Sequence, residues 1–370
     1  MFKITMASPV FHGNEKRYLN ECIDTGWVSA NGHFVADFEK KFAEFCGTKY
    51  AISCCNGTMS LHLCLLGLGI GPGDEVIMPT LTYVATANCV AYCGATPVFV
   101  DSDPETFNID VNQIEKKINK HTKAIMPVHL YGLSCDMDKI NALARKYNLY
   151  VIEDAAEAHG ATIGGKKVGS FGDVASFSFF GNKIITSGEG GMVVTDNEEL
   201  YRKMKLLKGQ GVDPNKRYWH TEIGYNYRMT NMQAAVGLAQ LEDIDWHLEQ
   251  HQRIAALYKK YIWGQEKWVH QQAEPEGYRH VYWMNNVILT DQVKLSRDEI
   301  MAKMEALGVE MRPVFYPMHI MPPYLDNSLS FPVAERLASH GISLPSHAKL
   351  SEEDIAFICD NLLDFCKARG

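Results

Sequence analysis

The chain has 370 residues, 46% hydrophobic and 22% charged, a composition typical of a globular protein with one large core and room for a smaller second one. The formal net charge of −8 excludes the strongly basic surface that nucleic-acid binding requires. No apolar run reaches the ~20 residues of a transmembrane helix. The N-terminus has no signal-peptide pattern, so we expect a cytoplasmic protein that binds neither membrane nor nucleic acid.

Ten cysteines are scattered along the chain without any Cys-x-x-Cys pair. Several lie inside apolar segments, such as Cys64 within residues 61–66, where a thiol packs as a small hydrophobic group. The spacing therefore favours buried free thiols over disulfides or a metal centre, and we predict no metal ligands.

Short β-branched runs alternate with helical patterns between about residues 50 and 200. Helices are predicted between the strands, for instance at residues 59–68 and 137–147. The predicted strands are residues 50–54, 75–79, 97–101, 124–128 and 150–154. This alternation predicts a mostly parallel sheet covered on both faces, in which ligands bind beyond the carboxyl ends of the strands.

The C-terminal part of the chain has a different pattern. An amphipathic run at residues 231–263 predicts a long helix that leaves the first domain. Ser351 begins a last helix with a capping box. Between them we predict a strand at 281–289, a helix at 296–307 and a strand at 309–315. The predicted division is a large α/β domain, residues 1–250, and a smaller α+β domain, residues 251–370.

Two motifs resemble functional sites but are better explained otherwise. Residues 160–167 nearly match a P-loop, yet Lys stands where that motif requires Ser or Thr, so a hairpin turn is favoured. His247 and His251 have a spacing compatible with zinc, but Glu249 is out of register for the zinc-protease motif. The polar surroundings instead predict a solvent-exposed helix face.

The apolar segment at residues 177–185 contains Lys183. Burial disfavours an ammonium group and lowers its pKa, which produces the nucleophilic amine that forms a Schiff base with a carbonyl. The alternative is a lysine whose charged end reaches water. The segment by itself leaves both interpretations open.

Two further features indicate a cofactor. Asp154 closes the predicted strand at 150–154, where its carboxylate would keep a pyridine nitrogen protonated or would cap the following segment. Residues 56–58 join a strand to an apolar helix, so they form either a phosphate site or an ordinary turn. Ser178 would add a hydroxyl to the same phosphate. Amine, pyridine partner and phosphate site together are what pyridoxal 5'-phosphate (PLP) requires.

The order and spacing of these features resemble the DegT/DnrJ/EryC1/StrS family of sugar aminotransferases, above all in segments 153–157, 176–194 and 224–229. The resemblance extends over essentially the whole chain. It implies the PLP-dependent transferase fold type I (aspartate aminotransferase-like), an α/β fold with a large, mixed, mostly parallel sheet and a smaller C-terminal α+β domain. The family's sugar dehydratases have His where this chain has Lys183, which favours transamination.

The resemblance also implies roles for individual residues. Lys183 would form the Schiff base with PLP and move protons, and Asp154 would pair with the pyridine nitrogen. Tyr83 would stack on the ring, and Glu157, where many members have Gln, would lie near the ring hydroxyl. The residues expected at the phosphate are Gly57, Thr58, Ser178 and Asn226, the last from a neighbouring subunit, which implies a homodimer or higher homo-oligomer with shared active sites. The residues expected to contact substrate are His159, Arg228 and His319.

The implied reaction transfers an amino group from L-glutamate to the 4-keto carbon of a nucleotide-linked sugar. Segments 179–183, 216–219 and 312–319 resemble family members that act on GDP-4-keto-6-deoxy-D-mannose. This resemblance implies that substrate and the synthesis of a surface polysaccharide such as an O-antigen. Three alternatives stay open: a UDP- or dTDP-linked 4-keto sugar, a PLP-dependent dehydratase, and a non-catalytic nucleotide-sugar binder with this fold.

Overall fold

The computed structural model describes residues 2–368, and its strands and helices alternate through the first two hundred residues as the sequence predicts. The helices are α1 (Glu15–Thr25), α2 (His33–Cys46), α3 (Gly57–Leu68), α4 (Ala85–Tyr92), α5 (Val111–Ile114), α6 (Met137–Tyr147), α7 (Glu198–Lys208), α8 (Asn231–Glu242), α9 (Ile244–Ile262), α10 (Arg297–Ala306), α11 (Pro332–His340) and α12 (Glu352–Lys367). The strands are β1 (Tyr50–Cys54), β2 (Glu75–Pro79), β3 (Thr96–Val100), β4 (Thr122–Ile125), β5 (Tyr150–Asp154), β6 (Thr162–Ile163), β7 (Lys166–Lys167), β8 (Val174–Ser178), β9 (Gly191–Thr195), β10 (Val269–Gln271), β11 (Tyr278–Arg279), β12 (Asn285–Leu289), β13 (Arg312–Pro313) and β14 (Gly341–Leu344). Short 3-10 turns occupy Glu115–Lys117, Leu130–Gly132, Met318–Ile320 and Pro322–Tyr324.

The central sheet has seven strands in the order β1-β9-β8-β5-β4-β2-β3. Only β9 runs against the others, antiparallel to both β1 and β8, and the remaining pairs are parallel. This confirms the predicted large, mixed, mostly parallel sheet. Because β1, β2, β5 and β8 point the same way, the turns that follow them converge at one edge of the sheet.

Both faces of this sheet are covered, which explains why its strands are continuous hydrophobic runs. Successive side chains of a strand point to opposite faces. In β5, Ile152 packs into the core shared with Phe38 of α2 and Leu63 of α3, whereas its neighbour Val151 packs with Ile140 of α6 on the other face. One layer of helices therefore covers each face.

The C-terminal part of the chain has its own antiparallel sheet, in the order β10-β12-β14-β13. A separate core lies between this sheet and its helices, with Tyr258 of α9, Ile300 of α10 and Ile358 of α12 fully buried. The N-terminal segment joins it, since Ile4 forms a parallel bridge with Val309. A domain boundary at residue 250 stays a prediction, because α9 runs through that position.

The structure corrects several predicted element bounds. The helix predicted at 231–263 is two helices, α8 and α9, separated at Asp243, where φ is −108° and ψ is 19°. The strand predicted at 281–289 is confined to β12, since Tyr282 has a positive φ of 48° that ends regular strand geometry before it. The strand predicted at 309–315 is confined to the two residues of β13.

The predicted hairpin, the cap of the last helix and the free thiols are confirmed. β6 and β7 form a hairpin around Gly164 and Gly165, both with positive φ, rather than a P-loop. Ser351 caps α12 with a capping box. All ten cysteines are free thiols, and eight of them are buried.

Within residues 2–368 no group of three or more His, Cys, Asp or Glu side chains is placed to bind a metal ion. None of the helices in the same residues combines the length and apolar character that spanning a bilayer requires.

The prediction that His247 and His251 lie on a solvent-exposed helix face is wrong. They are only 5% and 8% exposed. His251 donates from Nδ1 to the carbonyl of Tyr282 at 2.9 Å, and the ring of His247 packs against those of His12 and Trp246. Burial lowers the pKa of each imidazole to about 4, so both are neutral at pH 7. The sequence pattern counts histidine as a polar residue, but a neutral imidazole is readily buried. The pattern therefore predicted an exposed face where the structure has a buried one.

Acidification should destabilise the protein through His251. Its folded pKa of about 4 lies below the unfolded value of about 6.5. The unfolded state therefore binds more protons below pH 6.5, and the free energy of unfolding falls as pH decreases toward 4. Between pH 7 and pH 5, the free energy of unfolding of His251→Gln should fall by about 2 kcal/mol less than that of the native protein. Chemical denaturation at the two pH values measures this difference. His270→Gln, at an exposed site, is the control; equal pH dependence in all three proteins would contradict this assignment.

Candidate active site

A cavity of about 420 Å³ lies at the carboxyl edge of the central sheet. The turns after β1, β2, β5 and β8 form one wall, and residues of the C-terminal part, among them Trp283 and Phe315, form the opposite wall. Its volume is in the range of small-molecule binding sites, and its position is the one expected for a ligand in a parallel sheet.

The turn between β1 and α3 is built to receive an anion. Asn56 caps α3 by accepting the N–H of Met59 at 2.9 Å, and the N–H groups of a first helical turn have no partner within the helix. A Cβ atom at Gly57 would lie 2.6 Å from Cβ of Ser178, so only glycine permits this approach. Gly57, Thr58 and Ser178 all line the cavity. The arrangement favours a phosphate group over the alternative of an ordinary turn.

Asp154 ends β5 and is only 4% exposed. Its Oδ2 accepts the hydroxyl of Thr86 at 2.8 Å, and Oδ1 accepts the N–H of Ala156 at 3.2 Å. Burial raises the pKa of this carboxyl, and the hydrogen bonds from Thr86 and Ala156 oppose the increase. Residues 155–161 form turns rather than a helix, so the bond from Ala156 makes Asp154 the cap of a turn and not of a helix. The carboxylate is thus held at the cavity.

Lys183 follows β8, and its side chain is 11% exposed. Nζ lies 3.8 Å from the ring centroid of Trp283 and 3.9 Å from Oε1 of Glu157. Trp283 is fixed by donating from Nε1 to the carbonyl of Asn182 at 2.7 Å. Burial lowers the pKa of the Lys183 amine, and the charges of Glu157 and Asp154 oppose this. The amine therefore does not extend into bulk water, as the alternative interpretation required.

Glu157 faces Lys183 and is 3% exposed. Its Oε2 accepts the N–H of Tyr131 at 2.7 Å, within a turn where Tyr131 has a positive φ of 58°. Burial raises the pKa of Glu157 to about 7, against the opposing charge of Lys183. The site thus contains a carboxyl group of raised pKa beside a buried amine of lowered pKa.

These groups fit PLP. The helix terminus beside Gly57 offers backbone N–H groups to a phosphate, and the Asp154 carboxylate lies at the same cavity to pair with a pyridine nitrogen. Lys183 supplies an amine of lowered pKa to an aldehyde. Tyr83 also lines the cavity, 58% exposed, with its ring 5.8 Å from that of Phe315. An aromatic side chain so exposed has a face available for stacking.

Sequence reasoning missed the part played by Glu153. Glu153 is fully buried. Its carboxylate accepts hydrogen bonds of 2.7 to 2.8 Å from backbone N–H groups of the loop at residues 169–172. It also accepts a hydrogen bond of 3.0 Å from Nε2 of His129. His129 accepts the Cys135 N–H on Nδ1, so Nε2 carries the proton. Burial would raise the pKa of Glu153, but the bonds from His129 and the loop outweigh it and lower the pKa. Strand alternation was the available signal, since Glu153 must face away from Asp154.

Asn226 and Arg228 are exposed and do not line the cavity of their own chain. Arg228 donates from Nε to Oδ1 of Asn226 at 3.1 Å, and Asn226 is paired to Gly209 in an isolated bridge. Their roles therefore stay predictions, and for Asn226 the position is compatible with the site of another subunit.

His159 and His319 do not line the cavity either, so their placement does not support the predicted substrate contacts. His159 is fully buried among aromatic rings, including Phe177 and Phe179, and burial lowers its pKa to about 3. His319 is 2% exposed, with Nδ1 2.8 Å from the Thr80 hydroxyl and Nε2 3.1 Å from Glu335. Both imidazoles pack inside the fold. Because histidine is a polar residue, the sequence did not predict their burial.

Comparisons with known proteins agree with this geometry. A model of the DegT/DnrJ/EryC1/StrS aminotransferase family matches residues 10–363. The chain is 55% identical to a GDP-perosamine synthase of Caulobacter vibrioides, over 95% of both chains. It is 49% identical to a GDP-perosamine synthase of Escherichia coli O157:H7, over 98% of both chains. An aminotransferase structure from Psychrobacter cryohalolentis superposes with a TM-score of 0.90 at 35% identity, covering 96% of this chain and 98% of that one.

Glu157 should control the reactivity of Lys183. Because the Glu157 carboxylate stabilises the ammonium form, Glu157→Gln should lower the pKa of Lys183 further. We expect faster acetylation of Lys183 by acetic anhydride at pH 7 in cofactor-free protein, up to about tenfold for each unit by which the pKa falls, measured by peptide mass spectrometry.

Glu189→Gln is the matched control, since Glu189 also lines the cavity but makes no ion pair with Lys183 in the described structure. An unchanged or slower rate in Glu157→Gln would show that the carboxylate does not act on the amine.

Proposed function

The chain belongs to the DegT/DnrJ/EryC1/StrS aminotransferase family, and on that premise we propose that it transfers the amino group of L-glutamate to the 4-keto carbon of GDP-4-keto-6-deoxy-D-mannose. The products are GDP-perosamine and 2-oxoglutarate. It is a PLP-dependent sugar aminotransferase with the predicted fold type I. Two relatives that share about half of its residues over nearly their whole length are GDP-perosamine synthases, which supports this sugar and nucleotide.

The observation that carries the proposal is the buried Lys183 amine at a cavity that also contains Asp154 and the N-terminus of α3. A lysine at this position separates the chain from the family's dehydratases, which have histidine there. A non-catalytic binder would not need an amine whose pKa is lowered by burial.

PLP, when bound, supplies an electron-withdrawing pyridinium ring and carries the amino group between the two half-reactions. Asp154 would hold the proton on the pyridine nitrogen, because a buried carboxylate stabilises a facing positive charge. Gly57, Thr58 and Ser178 would anchor the phosphate and so orient the ring.

Lys183 would carry the proton that each half-reaction moves between carbon atoms. Its Nζ is the only amine among the described residues that line the cavity. The lowered pKa of Lys183 favours the neutral amine, which is the form that can accept a proton from carbon. Trp283 and Glu157 would hold Nζ in place while the ammonium exists, since each lies within 4 Å and favours the cation.

We propose in addition that the active unit is a homodimer or larger homo-oligomer with shared sites. Asn226, which does not reach its own cavity, would contact the phosphate in the neighbouring subunit. A cytoplasmic location belongs to the same proposal and is supported by the ten free thiols. The setting we propose is the synthesis of a surface polysaccharide such as an O-antigen.

The substrate assignment can be tested with a panel of GDP-, UDP- and dTDP-linked 4-keto sugars, each supplied with L-glutamate. We expect stoichiometric 2-oxoglutarate with GDP-4-keto-6-deoxy-D-mannose and the highest kcat/KM for that sugar. Lys183→Ala should lose activity by about 10²- to 10⁴-fold or more, because no other amine lines the cavity among the described residues. Lys146→Ala, on the exposed surface, is the control. Water loss from the sugar without 2-oxoglutarate would instead identify a dehydratase.

Shared active sites predict complementation between two defective variants. Asn226→Ala should retain the fold but lose PLP more readily on dialysis, followed by absorbance. Co-expressed with Lys183→Ala, it should form mixed dimers in which one site has both native residues, restoring about a quarter of native activity after random assembly. Activity no higher than the mean of the two parent variants would place Asn226 outside the neighbouring site.

A further inference from the structure

The charges around the active-site cavity are unequal. Three acidic side chains line it, those of Asp154, Glu157 and Glu189. Among the described lining residues, only Lys183 and Arg312 are cations. If the proposed function is correct, Lys183 is committed to the cofactor, which leaves the Arg312 guanidinium as the cation of this chain that can face a reactant.

Both reactants of the proposed function are anions. L-Glutamate carries two carboxylates, and a nucleotide-linked sugar carries a diphosphate. Bringing either group near these acidic side chains is unfavourable unless a cation compensates. We propose that Arg312 binds an oxyanion of the reactant, carboxylate or diphosphate, and thereby determines which molecules the site accepts. This inference rests on the proposed function and deepens it.

Arg312 is held in place without losing its capacity to bind. It lies in β13, paired with Ser343 of β14, which also lines the cavity. Its NH2 group donates to Oε1 of Glu310 at 3.1 Å, and its side chain is 51% exposed. A guanidinium has several N–H donors in one plane, so a single bond to Glu310 leaves others for a carboxylate or phosphate.

Glu310 also connects Arg312 to the N-terminal segment. Its second oxygen, Oε2, accepts the N–H of Met6 at 2.8 Å. Met6 is fully buried and lines the same cavity, and the bridge between Ile4 and Val309 holds the segment beside β13. The Glu310 carboxylate thus orients the Arg312 guanidinium, and it is itself held by its bond from the Met6 N–H.

The test compares native holoenzyme with Arg312→Gln and Arg312→Lys in two separate measurements. The first is the glutamate half-reaction, followed by cofactor absorbance at increasing glutamate concentration. The second is the affinity for GDP, measured by isothermal titration calorimetry. We expect Arg312→Gln to weaken one or both by about 10- to 100-fold, the usual effect of losing a charge-assisted bond. Arg312→Lys should recover part of the loss, because it keeps the charge but not the planar donors.

Arg336→Gln is the matched control, since Arg336 is similarly exposed (46%) and pairs with Asp291 at 2.9 Å but does not line the cavity. A loss with glutamate alone identifies the carboxylate as the ligand, and a loss with GDP alone identifies the diphosphate. The proposal would be overturned if Arg312→Gln stays within about twofold of native protein both in the glutamate half-reaction and in GDP affinity. A loss of equal size in Arg336→Gln would also overturn it. Neither measurement requires turnover of the sugar, so a failed sugar assay would refute the proposed function without affecting this result.

Discussion

The active site depends on a buried amine, that of Lys183. Removing an ammonium group from water is unfavourable unless neighbouring groups compensate by stabilising its charge. Lys183 has that compensation from two directions, the face of Trp283 at 3.8 Å and the carboxylate of Glu157 at 3.9 Å. The compensation is incomplete, since burial still lowers its pKa. The result is a buried amine of lowered pKa held beside the cavity, as the proposed proton transfer requires.

Three carboxyl groups within residues 153–157 show how strongly position alters one chemical group. Glu153 faces away from the cavity, and its full set of hydrogen bonds lowers its pKa despite complete burial. Asp154 faces the cavity, with two hydrogen bonds, and its pKa is raised. Burial raises the pKa of Glu157, which lies beside Lys183. The first anchors the end of the strand, and the other two set the electrostatics of the site.

The parallel direction of β1, β5 and β8 explains why much of the site was predictable. Each candidate near a strand end, namely Gly57, Asp154 and Ser178, reaches the same cavity because parallel strands place their carboxyl ends at one edge. Histidines gave no such positional signal. His159 and His319 pack inside the fold instead of at the cavity, because a neutral imidazole tolerates both environments.

The sequence by itself determined the alternation of strands and helices, the sheet edge that carries the chemistry, and the identity of its amine and carboxylate. The first two follow from local rules of periodicity and spacing, and the third from the resemblance to the aminotransferase family. Only the tertiary structure decided that Trp283 lies against Lys183 and that Glu310 joins Met6 to Arg312. The contacts of Trp283 with Lys183 and of Glu310 with Met6 join residues a hundred or more positions apart. The pKa of a buried group depends on such neighbours and on the exclusion of water, and neither is encoded in any single segment of the chain.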